Sequence, residues 1–131
     1  LSSNNPRILF HGKQKREDMA KFYKASDFLI VSLIDDPIFS VTVPAKIQSY
    51  IAAKKPILAI INGDTADIVK DNHLGLHVDP SDINLISKVL EKCIDMPKSK
   101  KNSFIVNNDK LSQTTFNKDV IINDLTKILI G

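Results

Sequence analysis

Two periods of apolar and polar residues alternate along this chain. Asp27–Leu33 (DFLIVSL) and Pro56–Ile61 (PILAII) are nearly continuous apolar runs, the pattern of parallel strands covered by helices on both faces. Between and after them the spacing becomes helical. Met19, Phe22 and Tyr23 share one face of a helix over residues 16–26, and Ile47, Tyr50 and Ile51 share one face over 44–54. Asp79-Pro80-Ser81-Asp82 caps a helix running to about Met96, with Ile83, Ile86, Val89, Leu90 and Cys93 in register, and Pro97 breaks it. Arg7–His11 reads as a short strand ending at Gly12, Asn62-Gly63 as a turn into a short helix from about Thr65 to Asp71, and Leu76–Val78 as a brief strand after Gly75. Two further helices are expected at about 98–112 and 117–130.

Strands alternating with helices predict an α/β domain. It is a Rossmann-like, doubly wound, mostly parallel sheet of at least four strands with C-terminal helices, and 27–33 and 56–61 lie at its centre. Ligands in such sheets bind beyond the carboxyl ends of the strands. That rule gathers Gly12, the 34–43 loop and the Asn62–Thr65 turn around one crevice.

The strongest candidate chemistry is the helix that opens Pro44-Ala45-Lys46. A helix N-terminus offers unpaired N–H donors and partial positive charge, and a lysine adds a full charge, so the Ala45 and Lys46 N–H groups and the Lys46 ammonium suit a phosphate. Pro44 has no N–H to contribute. Asp67 reads as a cap or ion-pair residue, His11 as structural, and Lys98, Lys100 and Lys101 as a solvated face open to anionic lipid. His73 and His77 have no neighbours at metal-ligand spacing, and no metal is expected.

Composition narrows the partners. The 131 residues suffice for one domain, at 43% hydrophobic and 25% charged residues. A net charge of +3 is too mild, and aromatics too few, for a nucleic-acid-binding stripe. No apolar run approaches a membrane span and no signal peptide is visible, so the expected compartment is the cytoplasm, with a peripheral place at the inner face of the membrane. The lone Cys93 excludes an internal disulfide and fits a reducing compartment. Leu1 stands where a Met would start a protein, and the chain reads as one domain, 1–131, cut from a longer one.

In FHGKQKREDMAKFYKASDFLIVSL, the residues Phe10, Gly12, Tyr23, Ala25 and Asp27 fill the places of a Phe-x-Gly turn, a helix and a Tyr-x-x-Ala-Asp junction, with Ser26 inserted. In YIAAKKPILAIINGDTADIVKDNHLGLHVDPSD, the residues Ala52, Pro56, Gly63, Asp67, Ile68, Val69, Gly75, Pro80 and Asp82 follow a second such run. Together these resemble the C-terminal donor-binding domain of family 4 (group 1) glycosyltransferases of the GT-B fold, closest to those building bacterial surface polysaccharides. The resemblance implies a retaining sugar transfer from a nucleoside-diphosphate sugar, with UDP slightly favoured over GDP and no other cofactor. It implies a lipid-linked or glycan acceptor, bound by an N-terminal domain missing from this chain, without which the chain is expected to be inactive. Donor contacts then fall on Gly12, Thr42, Val43, Ala45, Lys46, Ser49 and Gly63, with no catalytic residue assigned.

The chain departs from the family pattern at three places. Val41 and Ser49 stand where paired glutamates bracket the helix, and Lys54 stands where a small residue, usually Gly, precedes the strand. These departures keep open a noncatalytic nucleotide- or sugar-phosphate-binding module. A flavodoxin-like interaction domain is a third reading.

Overall fold

The computed structural model describes residues 6–33 and 44–130. A 3-10 turn at Arg16–Asp18 leads into α1 (Met19–Ala25), followed by β1 (Leu29–Ser32), α2 (Ala45–Ala52), β2 (Ile57–Ile60), α3 (Asp64–Asp71), β3 (Gly75–Val78), α4 (Ile83–Ile94), α5 (Lys98–Gln113) and α6 (Lys118–Ile130). The three strands form one parallel sheet in the order β1-β2-β3. Leu29 pairs with Ile57 and Ile57 with Gly75.

This register sorts the side chains into two layers. On one face Leu29, Val31, Ile57 and Ala59 meet Ile47, Tyr50 and Ile51 of α2 and Val69 of α3. On the other, Leu58 and Val78 meet Cys93 of α4, with Ile60, Leu76, Ile86 and Val89 around them. β2 is therefore covered on both faces, as its continuous apolar run requires. Cys93 is a core thiol, and burial pushes its pKa up.

β1 departs from the expectation. It alternates buried and exposed, with Ile30 46% exposed, because α4 packs over β2 and β3 and leaves the outer half of β1 uncovered. It is the edge of the described sheet, not its centre, and among the described residues the sheet has three strands where the pattern predicts four or more. Arg7–His11 forms no strand, and Ile8, Leu9 and Phe10 are exposed. Apolar β-formers adopt a strand only when a neighbour accepts their backbone hydrogen bonds, and β1 takes no partner on that side among the described residues. One of its edge carbonyls is satisfied otherwise, as the Tyr50 hydroxyl donates to Ile30 O at 3.2 Å. Burial, with the Tyr23 phenol beside it, raises the Tyr50 pKa.

Two helices end in left-handed residues that are not glycine, Lys54 (φ 56°) after α2 and His73 (φ 51°) after α3. Behind α3 the Leu74 N–H bonds back to Val69 O at 2.9 Å and the His73 N–H to Lys70 O at 3.1 Å, which closes the helix before β3. Each such residue costs about 1–2 kcal/mol of backbone strain, and α5 offsets it from the other side. Lys54 Nζ lies 2.7 Å from Asp109, Asn107 donates to His73 O at 2.9 Å, and buried Asn108 donates to Leu74 O at 2.9 Å. A glycine at position 54 would adopt this conformation without strain, and Lys54 adopts it under strain.

Gly75 sits where a side chain cannot. A Cβ there would fall on the carbonyl oxygen of Ile57 and within 2.6 Å of its nitrogen, both of them backbone atoms that cannot rotate away. Gly75→Ala is expected to destabilise the chain by about 3 kcal/mol, the upper range for overpacking, read as a lowered urea midpoint with an unchanged m-value.

Candidate functional site

The carboxyl ends of the parallel strands all lie on one side of the sheet, and the segments leaving them supply the candidate site. From β1 the chain enters 34–43, so Thr42 and Val43, and with them Val41, lie outside the described residues. It returns at Pro44, whose extended backbone (φ −60°, ψ 140°) serves as the N-cap of α2 instead of its first helical residue. Among the described residues no side chain caps this end, and no acid lies in its first turn. Ala45 and Lys46 are exposed there, while Ile47, one residue on, is fully buried and anchors the helix. The N–H groups of Ala45 and Lys46 precede the first intrahelical bond and point out of the helix end.

Ser49 lies one turn further along the exposed side of α2, and its hydroxyl donates back to Ala45 O at 3.4 Å. A glutamate at this position would reach past the helix end, whereas the serine turns onto its own backbone.

After β2, Gly63 takes φ 81° and ψ −157° and acts as the N-cap of α3, a backbone region that only glycine occupies cheaply. This turn is tied to the end of β3. Asn62 Nδ2 donates to Asp79 Oδ2 at 3.3 Å. His77 Nε2 lies 2.8 Å from Ile61 O, and a carbonyl only accepts, so Nε2 carries the proton. Asp79 also accepts from the Ser81 hydroxyl and N–H. These bonds, those from Ser81 before that from Asn62, hold the Asp79 carboxyl below its usual pKa. Asp82 then caps α4 as the sequence implies, accepting from Leu85 N–H at 2.8 Å.

The structure therefore brings the Asn62-Gly63 turn and Asp79 together, a link across 17 residues that no local pattern announces. Gly12 is placed differently from expectation. It is left-handed (φ 63°) with open space where a Cβ would be, but it ends no strand and belongs to the exposed stretch before α1. Asp67 pairs with Lys70 at 2.8 Å, and the His11 ring packs edge-on to Phe22 at 5.0 Å, so both follow their structural readings. Among the described residues no group of three or more His, Cys, Asp or Glu side chains could hold a metal ion.

A parallel α/β sheet with an uncapped, lysine-bearing helix start at its carboxyl end is common to many nucleotide-binding proteins, so geometry alone stops at that class. The sequence pattern of one family, described as glycosyl transferases group 1, matches residues 2–110. The chain belongs to that family. No curated protein matches it, and no solved structure does. Membership implies sugar transfer from a nucleotide-sugar donor to an acceptor, and it leaves the flavodoxin-like reading without support. Among the described residues no helix is long and apolar enough to cross a membrane.

The Asp79 network gives a test by pH. Its folded pKa is lowered, so its contribution to stability is fully present above the ordinary carboxylate pKa of about 4 and is lost as pH falls through the lower folded value. Asp79→Asn is expected to be less stable than the parent at pH 7, with the gap narrowing as the pH falls below the ordinary carboxylate value of about 4, as read from urea midpoints at each pH.

Proposed function

We propose that this chain is the donor-binding domain of a retaining group 1 glycosyl transferase. In this reading it holds the diphosphate of a nucleoside-diphosphate sugar at the start of α2. The carrying observation is the helix end itself: uncapped among the described residues, free of acids in its first turn, and bearing exposed Lys46 beside the Ala45 and Lys46 N–H groups. A lysine in the first turn opposes the helix dipole, and a bound anion reverses the sign of that interaction. During transfer the bond between the anomeric carbon and the diphosphate breaks, and negative charge grows on the departing phosphate oxygens. Fixed N–H dipoles and an ammonium group aimed there stabilise that charge more in the transition state than in the bound donor. Gly63 lets the backbone at the end of β2 approach the sugar, and Ser49 offers its hydroxyl oxygen to the ribose. Thr42, Val43 and Gly12 complete the proposed contacts.

The rest of the reading follows from the resemblance. UDP is favoured slightly over GDP, and the acceptor is a lipid-linked or glycan hydroxyl of a surface polysaccharide pathway in the cytoplasm. A second, N-terminal domain presents that acceptor. One observation favours a noncatalytic nucleotide-binding module instead: the Ser49 hydroxyl is already committed to Ala45 O, where the family carries a glutamate.

Titration of UDP and GDP into the chain by calorimetry tests the site. Lys46→Ala is expected to weaken diphosphate binding by about 1–3 kcal/mol, the range for losing a charge-assisted hydrogen bond. An unchanged affinity removes Lys46 from the site. A transfer assay separates the enzyme reading from its parts. Positioning of the acceptor supplies about 7–11 kcal/mol of a barrier, so the 131-residue chain alone is expected to transfer no sugar from any activated donor. Turnover by it would place the acceptor site within these residues.

A further inference from the structure

At the opposite end of the sheet, below the amino ends of β1 and β2, lies a second concave surface. A cavity of about 140 Å³ opens between the Ser26-Asp27 turn, the Lys55-Pro56 turn and the first turn of α5. Three ammonium groups line it, those of Lys55, Lys98 and Lys101, against the single carboxylate of Asp27. Lys101 is the most enclosed of them, with its side chain 18% exposed, 3.2 Å from Asp27 and with Nζ 5.8 Å from the centre of the Phe28 ring. Lys55 donates one hydrogen bond to Lys24 O at 2.9 Å, which leaves two donors free. Neither Lys55 nor Lys98 has an ion-pair partner among the described residues. Helix stability does not explain the cluster, since Lys98, Lys100 and Lys101 crowd the end of α5 where cations are disfavoured.

Lys55 also lines a second hollow. A groove of about 320 Å³ runs between α1 and α2 over Ala20, Tyr23, Ala52 and Ala53, with Lys24, Ser49 and Lys55 also lining it. An apolar groove that shares a lining lysine with a basic cavity is complementary to an amphiphile with an anionic head. We infer that this face binds an anionic phospholipid, with the phosphate among Lys55, Lys98 and Lys101 and an acyl chain along the groove. The charge excess selects the head, and the Ala and Tyr lining selects the tail. The phosphate end of this site lies at the amino ends of the strands, opposite the start of α2. The inference does not depend on the donor reading.

The test is cosedimentation of the 131-residue chain with vesicles of phosphatidylcholine, with and without phosphatidylglycerol. Binding is expected only with the anionic lipid. Lys98→Glu and Lys55→Glu are each expected to lower partitioning about tenfold. Lys110→Glu, the same charge change about 18 Å further along α5, is expected to leave it within about twofold. Ala52→Trp fills the exposed groove and is expected to weaken vesicle binding while circular dichroism stays unchanged. Equal binding to neutral vesicles overturns the inference, as does equal loss in Lys110→Glu or full binding by Ala52→Trp. A thermal shift with inorganic phosphate and no vesicle binding also overturns it, because the site would then take a free anion and not a lipid.

Discussion

Three consecutive residues of α5, Asn107, Asn108 and Asp109, hold the turns that lead into β2 and β3. Asn108 is fully buried and donates to Leu74 O and to Phe104 O, so the turn before β3 is fastened from inside the protein. Asn107 fastens the preceding carbonyl, and Asp109 fastens Lys54 before β2. Both turns contain a left-handed residue that a glycine would adopt without strain. Such strain persists only where surroundings over-determine the conformation, and here the surroundings are one helix. Lys54 and Gln113, in that order, also hold the Asp109 carboxyl below its usual pKa.

What those turns fix is the start, and so the register, of the two strands whose far ends build the candidate site. A slip of one residue in a parallel strand exchanges its two faces, and β2 is buried on both. With β2 and β3 held at their amino ends, the Asn62-Gly63 turn and Asp79 arrive at their carboxyl ends within hydrogen-bonding reach. The two ends of the sheet then have different characters. One presents a helix start and a glycine turn suited to a diphosphate. The other presents lysines around a cavity that shares Lys55 with an apolar groove.

The helices and the central strand were legible because their signals are local. Periodic apolar positions in α2 bury one face, and Asp82 caps α4 through a bond only three residues long. Of the α4 positions expected in register, Ile86, Val89 and Cys93 pack on the sheet while Ile83 and Leu90 stay exposed. Pro44 illustrates the limit of such reading. Its fixed φ fits the first helical residue and the residue before it, and the extended ψ of 140° decides for the N-cap. The Arg7–His11 stretch shows a larger limit. Its composition is that of a strand, but a strand's hydrogen bonds belong to its neighbour, and composition does not supply one.

By itself, then, the sequence determined the α/β class, the order of the elements, the family and the exposed lysine at the start of α2, since each rests on residues close together in the chain. Only the tertiary structure decided that β1 is an edge strand of the described sheet, that Asn108 anchors a turn 34 residues away, that Asn62 meets Asp79, and that Lys55 joins a basic cavity to an apolar groove. Those facts depend on which distant segments come to lie side by side. That is set by the packing of α4 against the sheet and of α5 against α2, and no local spacing encodes it.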